Sequence, residues 1–160
     1  MEILKMDNHE LLPLHQQLAA AQQEVRECND YSRKFGLVLS EPEIAELVSC
    51  RIEALRASGR VEFGGGILPK LIYSFCDSPY IDQENYESTL ADLQESFYYF
   101  KTEAMDSFSD DELIEFMVKV FNGRAQGSAE YLTGTSLEAL ARYARNGFDP
   151  FDAEESGDLF

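Results

Sequence analysis

Basic residues are scarce in this chain: 13 Lys and Arg stand against 30 Asp and Glu, a formal net charge of −17. That balance argues against a sequence-independent nucleic-acid binder, whose affinity comes from Lys and Arg on phosphates. It argues equally against docking on an anionic membrane. No apolar run approaches the roughly 20 residues of a bilayer span. The opening residues, Met1 to Asp7, lack the charged-then-apolar layout of a signal peptide. Cysteine is rare too. Cys28, Cys50 and Cys76 are odd in number and form no C-x-x-C pair, which argues against a disulfide framework and for a reducing compartment. The two histidines, His9 and His15, lie six apart on different helix faces, with no glutamate three residues before either. Neither a zinc site nor a carboxylate-bridged metal pair is expected from them. There is no G-x-S-x-G, no β-hairpin signal and no internal repeat. The expectation is a cytoplasmic protein without metal or cofactor.

What is present is a chain of 160 residues, 44% hydrophobic and 27% charged, enough for one core without a staple. Helical periodicity runs nearly throughout. From about Pro13 to Lys34, apolar residues recur at three- and four-residue steps (Leu11, Leu14, Leu18, Ala21, Val25), and Gly36 stops the segment. Ser40-Glu41-Pro42-Glu43 joins a capping serine, a first-turn proline and a glutamate three residues on. Ile44, Leu47, Val48, Ile52 and Leu55 follow as a stripe, with Gly59 just past the end. Ile67 to Cys76, with Pro69 near its first turn, reads as a short buried helix, although its length alone would permit a strand. Asp82 or Asn85 is expected to cap the longest helix, striped by Tyr86, Leu90, Leu93, Phe97, Phe100 and Ala104 and ending near Ser107. At 1.5 Å per residue, its roughly 25 residues would span about 37 Å. Ser109 to Glu112 is a second capping box, opening a helix to Phe121 that is apolar over more than half its circumference. Thr135 to Glu138 is a third capping signal, for a helix reaching Asn146, and a shorter helix lies near Ser128–Leu132. The predicted fold is all-α, a single bundle-like domain of six or seven helices over residues 1–146, with an acidic C-terminal tail over 147–160.

Acidity is uneven. Residues 64–123 carry 12 acids and 3 bases, whereas residues 1–63 carry 11 and 7, so the middle third is the more anionic surface. The last fifteen residues hold five acids and no base, with Gly147 and Pro150 ending the last helix. Phe148, Phe151 and Phe160 are too many aromatics for a purely solvating tail. Phe148 and Phe151 either pack on their own bundle near Arg142 and Arg145, or insert into a basic groove of a partner. Glu154 to Phe160 is expected to be mobile.

Three internal features bear on function. Gly64-Gly65-Gly66 precedes a helix, where free backbone N–H groups can cradle an anion, with Lys70 one turn in and Arg60 just before. Neither the phosphate-loop pattern nor G-x-G-x-x-G is present. The plainer reading is a sharp turn that lets a buried helix approach its neighbours. Arg51 lies in the middle of the Ile44–Leu55 stripe, where a guanidinium must snorkel out or meet a carboxylate. A structural pair, with Glu62 or an acid of the long helix, is one reading; a clamp for a ligand carboxylate or phosphate is the other. Tyr98 and Tyr99 fall to the sides of the long helix's stripe and, with Lys101, either form a partner-facing aromatic patch or join the core.

The block from Arg60-Val-Glu-Phe-Gly-Gly-Gly-Ile through Pro79-Tyr-Ile81, with Phe97-Tyr-Tyr-Phe100 behind it, resembles a family of small helical bacterial proteins of unknown function. That family is seen mainly in Gram-positive anaerobes. The resemblance covers about Leu37 to Leu132 and implies a bacterial, cytoplasmic protein; it assigns no activity, cofactor or site residue. Residue chemistry then favours a non-catalytic, acidic helical module that binds an unidentified protein, with Tyr98, Tyr99, Phe148 and Phe151 as contact residues. The alternative is a small-anion or metabolite-binding domain using Gly64, Gly65, Gly66, Lys70 and Arg51. A third reading is a nucleic-acid mimic occupying a basic protein. Catalysis is not expected, and no residue is assigned to it.

Overall fold

Caps and left-handed glycines cut the chain into helices at nearly the places the periodicity marks. The computed structural model describes residues 14–62 and 64–146, with the side chains of Leu14 and His15 left out. The expectations for the tail, including Phe148 and Phe151, lie outside the described residues. Helix α1 (Leu14–Ser32) runs into a 3₁₀ turn, Arg33–Phe35, and stops at Gly36, whose φ of 81° is left-handed. Helix α2 (Glu41–Ser58) opens with a complete capping box: Ser40 Oγ accepts from the Glu43 N–H while Glu43 accepts from the Ser40 N–H. Gly59, at φ 68°, closes it. Helix α3 (Leu68–Phe75) is the short buried element, with proline in its first turn. Helix α4 (Tyr86–Glu103) and helix α5 (Asp110–Asn122) follow, the latter opened by the Ser109–Glu112 box. Helix α6 (Ala129–Tyr131) passes through a π-helical stretch, Leu132–Leu137, into helix α7 (Glu138–Arg145). Among the described residues there is no strand, and the fold is all-α.

The core gathers on α3, α4 and α5. Helix α4 packs most extensively against α2 and also meets α3, α5, α6 and α7, while α1 lies on α2 and α3. Leu68, Leu71, Ile72 and Phe75 of α3 are wholly buried, and each such side chain contributes roughly 1.5–3 kcal/mol of burial. The Phe75 ring meets Phe121 of α5 edge-on, centroids 5.4 Å apart. Buried polar groups fasten the connections. Asn29 of α1 both accepts from the Leu39 N–H (2.8 Å) and donates to the Leu39 carbonyl (3.0 Å). Gln94 of α4 donates to the Leu47 carbonyl of α2 (3.1 Å).

Three expectations are corrected. Helix α4 has 18 residues, not about 25, and α1 at 19 is longer. Its end comes early because Met105 and Asp106 turn left-handed (φ 56° and 55°), and Arg60 Nη2 holds the Asp106 carboxylate at 2.7 Å. At its start Asn85 occupies the cap position, but its side chain accepts from the Asp82 N–H and caps nothing in α4. Thr135 starts no helix either. The cap is Ser128, whose Oγ accepts from the Tyr131 N–H at 3.0 Å, and the chain stays helical from there through the wider π turns.

Candidate functional site

Arg51 is the centre of the site. It follows Leu47 by four residues and precedes Leu55 by four, so the helix turns it inward with the stripe. Only 5% of its side chain is exposed. Its Nε donates to Glu62 Oε1 at 3.4 Å, a long single contact. The same carboxylate oxygen accepts from the Tyr98 hydroxyl of α4. Burial first, and the Glu62 carboxylate second, push the Tyr98 pKa above its ordinary value, so the phenol stays a donor. Arg51 Nη2, buried, has no hydrogen-bond partner among the described residues.

The return from α2 places Glu62 over that guanidinium. Gly59 reverses the chain, and the Arg60 N–H donates to the Leu55 carbonyl at 2.9 Å. Arg60 then grips α4, its Nε donating to Thr102 Oγ1 (3.1 Å) and its Nη2 to Asp106 (2.7 Å). Between α1, α2 and this return lies a hollow of about 520 Å³. Leu18 and Ala21 of α1, Ile52 and Leu55 of α2, and Val61 form apolar walls; Arg51 and Glu62 supply the polar end. Its volume falls within the roughly 300–1,000 Å³ of small-molecule sites. Among the described residues, no Ser, Thr, Cys or Lys lines it.

The glycine loop packs closely against its neighbours, and a donor it could offer an anion is already taken. Glu24 of α1 accepts from the Gly65 N–H, so the chain's own carboxylate sits where a bound anion would. Gly66, at φ 59°, presses on the ion pair: a Cβ there would lie 1.9 Å from Glu62 Oε1 and 2.6 Å from Arg51 Nε. Gly64 contributes to the wall of the hollow and Gly65 is buried against Pro69. Lys70 faces away from the loop and pairs with Asp111 of α5 at 2.9 Å. One turn into α3, its side chain projects toward α5.

The aromatic pair divides. Tyr98 is 1% exposed and lies in the core, the second of its two expected places. Tyr99 is 55% exposed and lines a shallow groove of about 770 Å³ between α2 and α4. Lys101 is buried beside Asp110, a short ion pair, rather than flanking an exposed patch. A second aromatic surface escaped the sequence. The Tyr31 ring meets both Phe35, four residues on, and Tyr73 of α3, with centroids 5.7 and 4.9 Å away. The Tyr31–Phe35 spacing was a usable signal; Tyr73 joins only through the packing of α1 on α3.

Reactive groups are subdued elsewhere. Burial pushes the Cys28 thiol up to about 11 and raises Cys50 and Cys76, so thiolate is disfavoured at all three. Among the described residues no cluster of His, Cys, Asp and Glu could hold a metal ion, and no helix is long and apolar enough to cross a membrane. No curated protein and no solved structure matches the chain. A family model matches residues 24–150, a span that holds Arg51, Glu62, the glycine loop and Tyr98, and by that match the chain belongs to the family of unknown function DUF6323.

Proposed function

We propose that this protein is a non-catalytic binding domain for a small organic anion, held in the hollow between α1, α2 and the Gly59–Gly66 return. The observation that supports it is Arg51 Nη2, a charged donor in the interior without an acceptor among the described residues. Leaving such a donor unpaired costs roughly 1–3 kcal/mol or more, and a ligand oxygen removes that penalty. Apolar walls beside it would seat the ligand's body. The glycine loop serves this reading by seating Glu62 and Arg51, with Gly64 in the wall of the hollow. Three free thiols fit a reducing bacterial cytoplasm as its setting.

A thermal-shift screen of aliphatic, aromatic and phosphorylated acids tests it. At 100 times Kd a bound acid should stabilise the fold by about 2.7 kcal/mol. Arg51→Met should abolish the shift. A flat screen on folded protein would leave water as the partner of Nη2 and return Arg51 to a purely structural role.

A second reading, a module that binds a protein, is favoured by the exposed rings of Phe35 (44%) and Tyr73 (49%) around Tyr31. Clustered aromatics are enriched at protein interfaces. Affinity purification with wild type and a Phe35→Ser, Tyr73→Ser double variant tests it; a partner retained by both rejects that surface. A basic, nucleic-acid-binding partner would point to mimicry.

A further inference from the structure

The shallow groove between α2 and α4 is a separate surface, built independently of the hollow. Ala54, Ala57 and Ser58 line it from α2, and the exposed ring of Tyr99 lines it from α4. Side chains that small leave room for the ridge of another helix. Among the described residues no Lys, Arg or His lines the groove, and its charged lining residues are all acids: Glu53, Glu95 and Glu103. Glu95 and Glu103 lie four residues to either side of Tyr99, so the two positions are roughly 12 Å apart along α4 with the ring between them. The lining stretch of α2, from Cys50 to Ser58, is equally long, and the groove therefore spans about two helical turns.

The negative charge here is only partly met. Glu53 pairs with Arg56 at 3.0 Å and Glu103 with Arg145 at 3.2 Å, both open to solvent, where an ion pair contributes little and its carboxylate can be shared with an incoming cation. Arg60, which donates to the lining Thr102, is held by Asp106. Glu46, Glu87 and Glu95 have no basic partner among the described residues. Cys50, half-buried in the groove, senses them: burial first, then Glu46, Glu87, Glu95 and Glu53, push its thiol pKa up.

Charge decides what fits this surface. A second copy of the chain carries −17, and the chain's own last fifteen residues hold five acids and no base, so neither complements an acidic rim. A helix with an apolar ridge flanked by lysine or arginine does, and Tyr99 offers a ring face to one of its cations. We propose that the α2–α4 groove docks a basic amphipathic helix of a partner protein, its apolar ridge on Ala54, Ala57 and Tyr99 and its cations on Glu53, Glu95 and Glu103.

Calorimetric titration with a helical peptide of Leu, Ala and Lys, leucines at i, i+3, i+4 and i+7 and lysines flanking them, tests this. Physiological ionic strength is used because it screens attraction to distant surface charge. The peptide should bind one-to-one and at least ten-fold more tightly than a shuffled peptide of the same composition. Glu95→Lys and Tyr99→Ser, both at exposed positions, should each weaken binding at least five-fold. Glu115→Lys, the same charge change at an exposed position of α5, should leave it within two-fold. Saturating peptide should slow maleimide labelling of Cys50 at least five-fold, a readout that needs no variant and is specific because Cys28 and Cys76 are buried. No saturable binding, a shuffled peptide that binds as tightly, or unprotected Cys50 overturns the docking of a basic helix in this groove. Equal weakening by Glu115→Lys and Glu95→Lys overturns it as well, since net charge alone would then explain the binding.

Discussion

Gly66→Ala should be much more damaging than Gly59→Ala, although both glycines are left-handed. Gly59 (φ 68°) has nothing within 4 Å of where a Cβ would stand. Its replacement meets only the backbone penalty, roughly 1–2 kcal/mol for an L residue in that conformation. Gly66 (φ 59°) carries the same penalty and a collision, its Cβ falling 1.9 Å from Glu62 Oε1 and 2.6 Å from Arg51 Nε. Glu62 must swing out, which breaks the Tyr98 hydrogen bond and strips Arg51 of its carboxylate. Orphaning one member of a buried pair costs about 3–5 kcal/mol; because the Glu62 side chain is 21% exposed, the lower part of that range applies. Gly66→Ala should therefore lose roughly 4–5 kcal/mol in urea unfolding with an unchanged slope, against 1–2 for Gly59→Ala. Equal losses in the two variants would refute the idea that the glycine loop exists to seat the Arg51–Glu62 pair.

Three further outcomes follow from other parts of the fold. Asn29→Ala should destabilise by about 2–4 kcal/mol, because the Leu39 N–H and carbonyl both lose a buried partner; a loss under 1 kcal/mol in chemical denaturation contradicts that accounting. Ser40→Ala and Ser109→Ala should cost about 1 kcal/mol each, as capping boxes at separate helices, and their double variant should show the sum. Alkaline pH should unfold the protein by a predictable route. Burial raises Cys28 from 9.0 to about 11 and Tyr86 from 10.0 to about 12, so both stay neutral in the fold after the unfolded chain has released its protons. Their stabilisation is complete below pH 9 and lost as pH climbs from 9 toward 12, at about 1.4 kcal/mol per pH unit for each group. Cys28→Ala should flatten the early part of that decline; an unchanged profile assigns it to other groups.

Helix starts were legible because the signals are local: a serine with a glutamate three residues later at Ser40 and Ser109 needs no tertiary information. The same pattern misled at Thr135, where the chain was already helical from Ser128, and a capping motif cannot announce that its helix has begun earlier. The early end of α4 was hidden, since it depends on Arg60, 46 residues away, gripping Asp106. The position of Arg51 inside an apolar stripe was readable from spacing alone, and so was the choice between a carboxylate partner and a ligand. The structure shows that Glu62 meets the guanidinium through Nε while Nη2 has no partner among the described residues, a division no spacing encodes. The anion cradle of the glycine loop was a sound inference from backbone chemistry, but the carboxylate that fills it, Glu24, lies 41 residues earlier on α1. Tyr98 and Tyr99 are adjacent in sequence and opposite in fate, one against Glu62 and one in solvent, because the packing of α2 reaches only one side of α4.

Native mass spectrometry of the protein isolated gently from its own cells tests the central proposal most directly. Wild type should carry a single small adduct, released on denaturation and identifiable as an organic acid, and Arg51→Met isolated in the same way should be free of it. An adduct retained by folded Arg51→Met, or a wild type that carries none and gains none when incubated with the cell's acid-soluble metabolites, would contradict it.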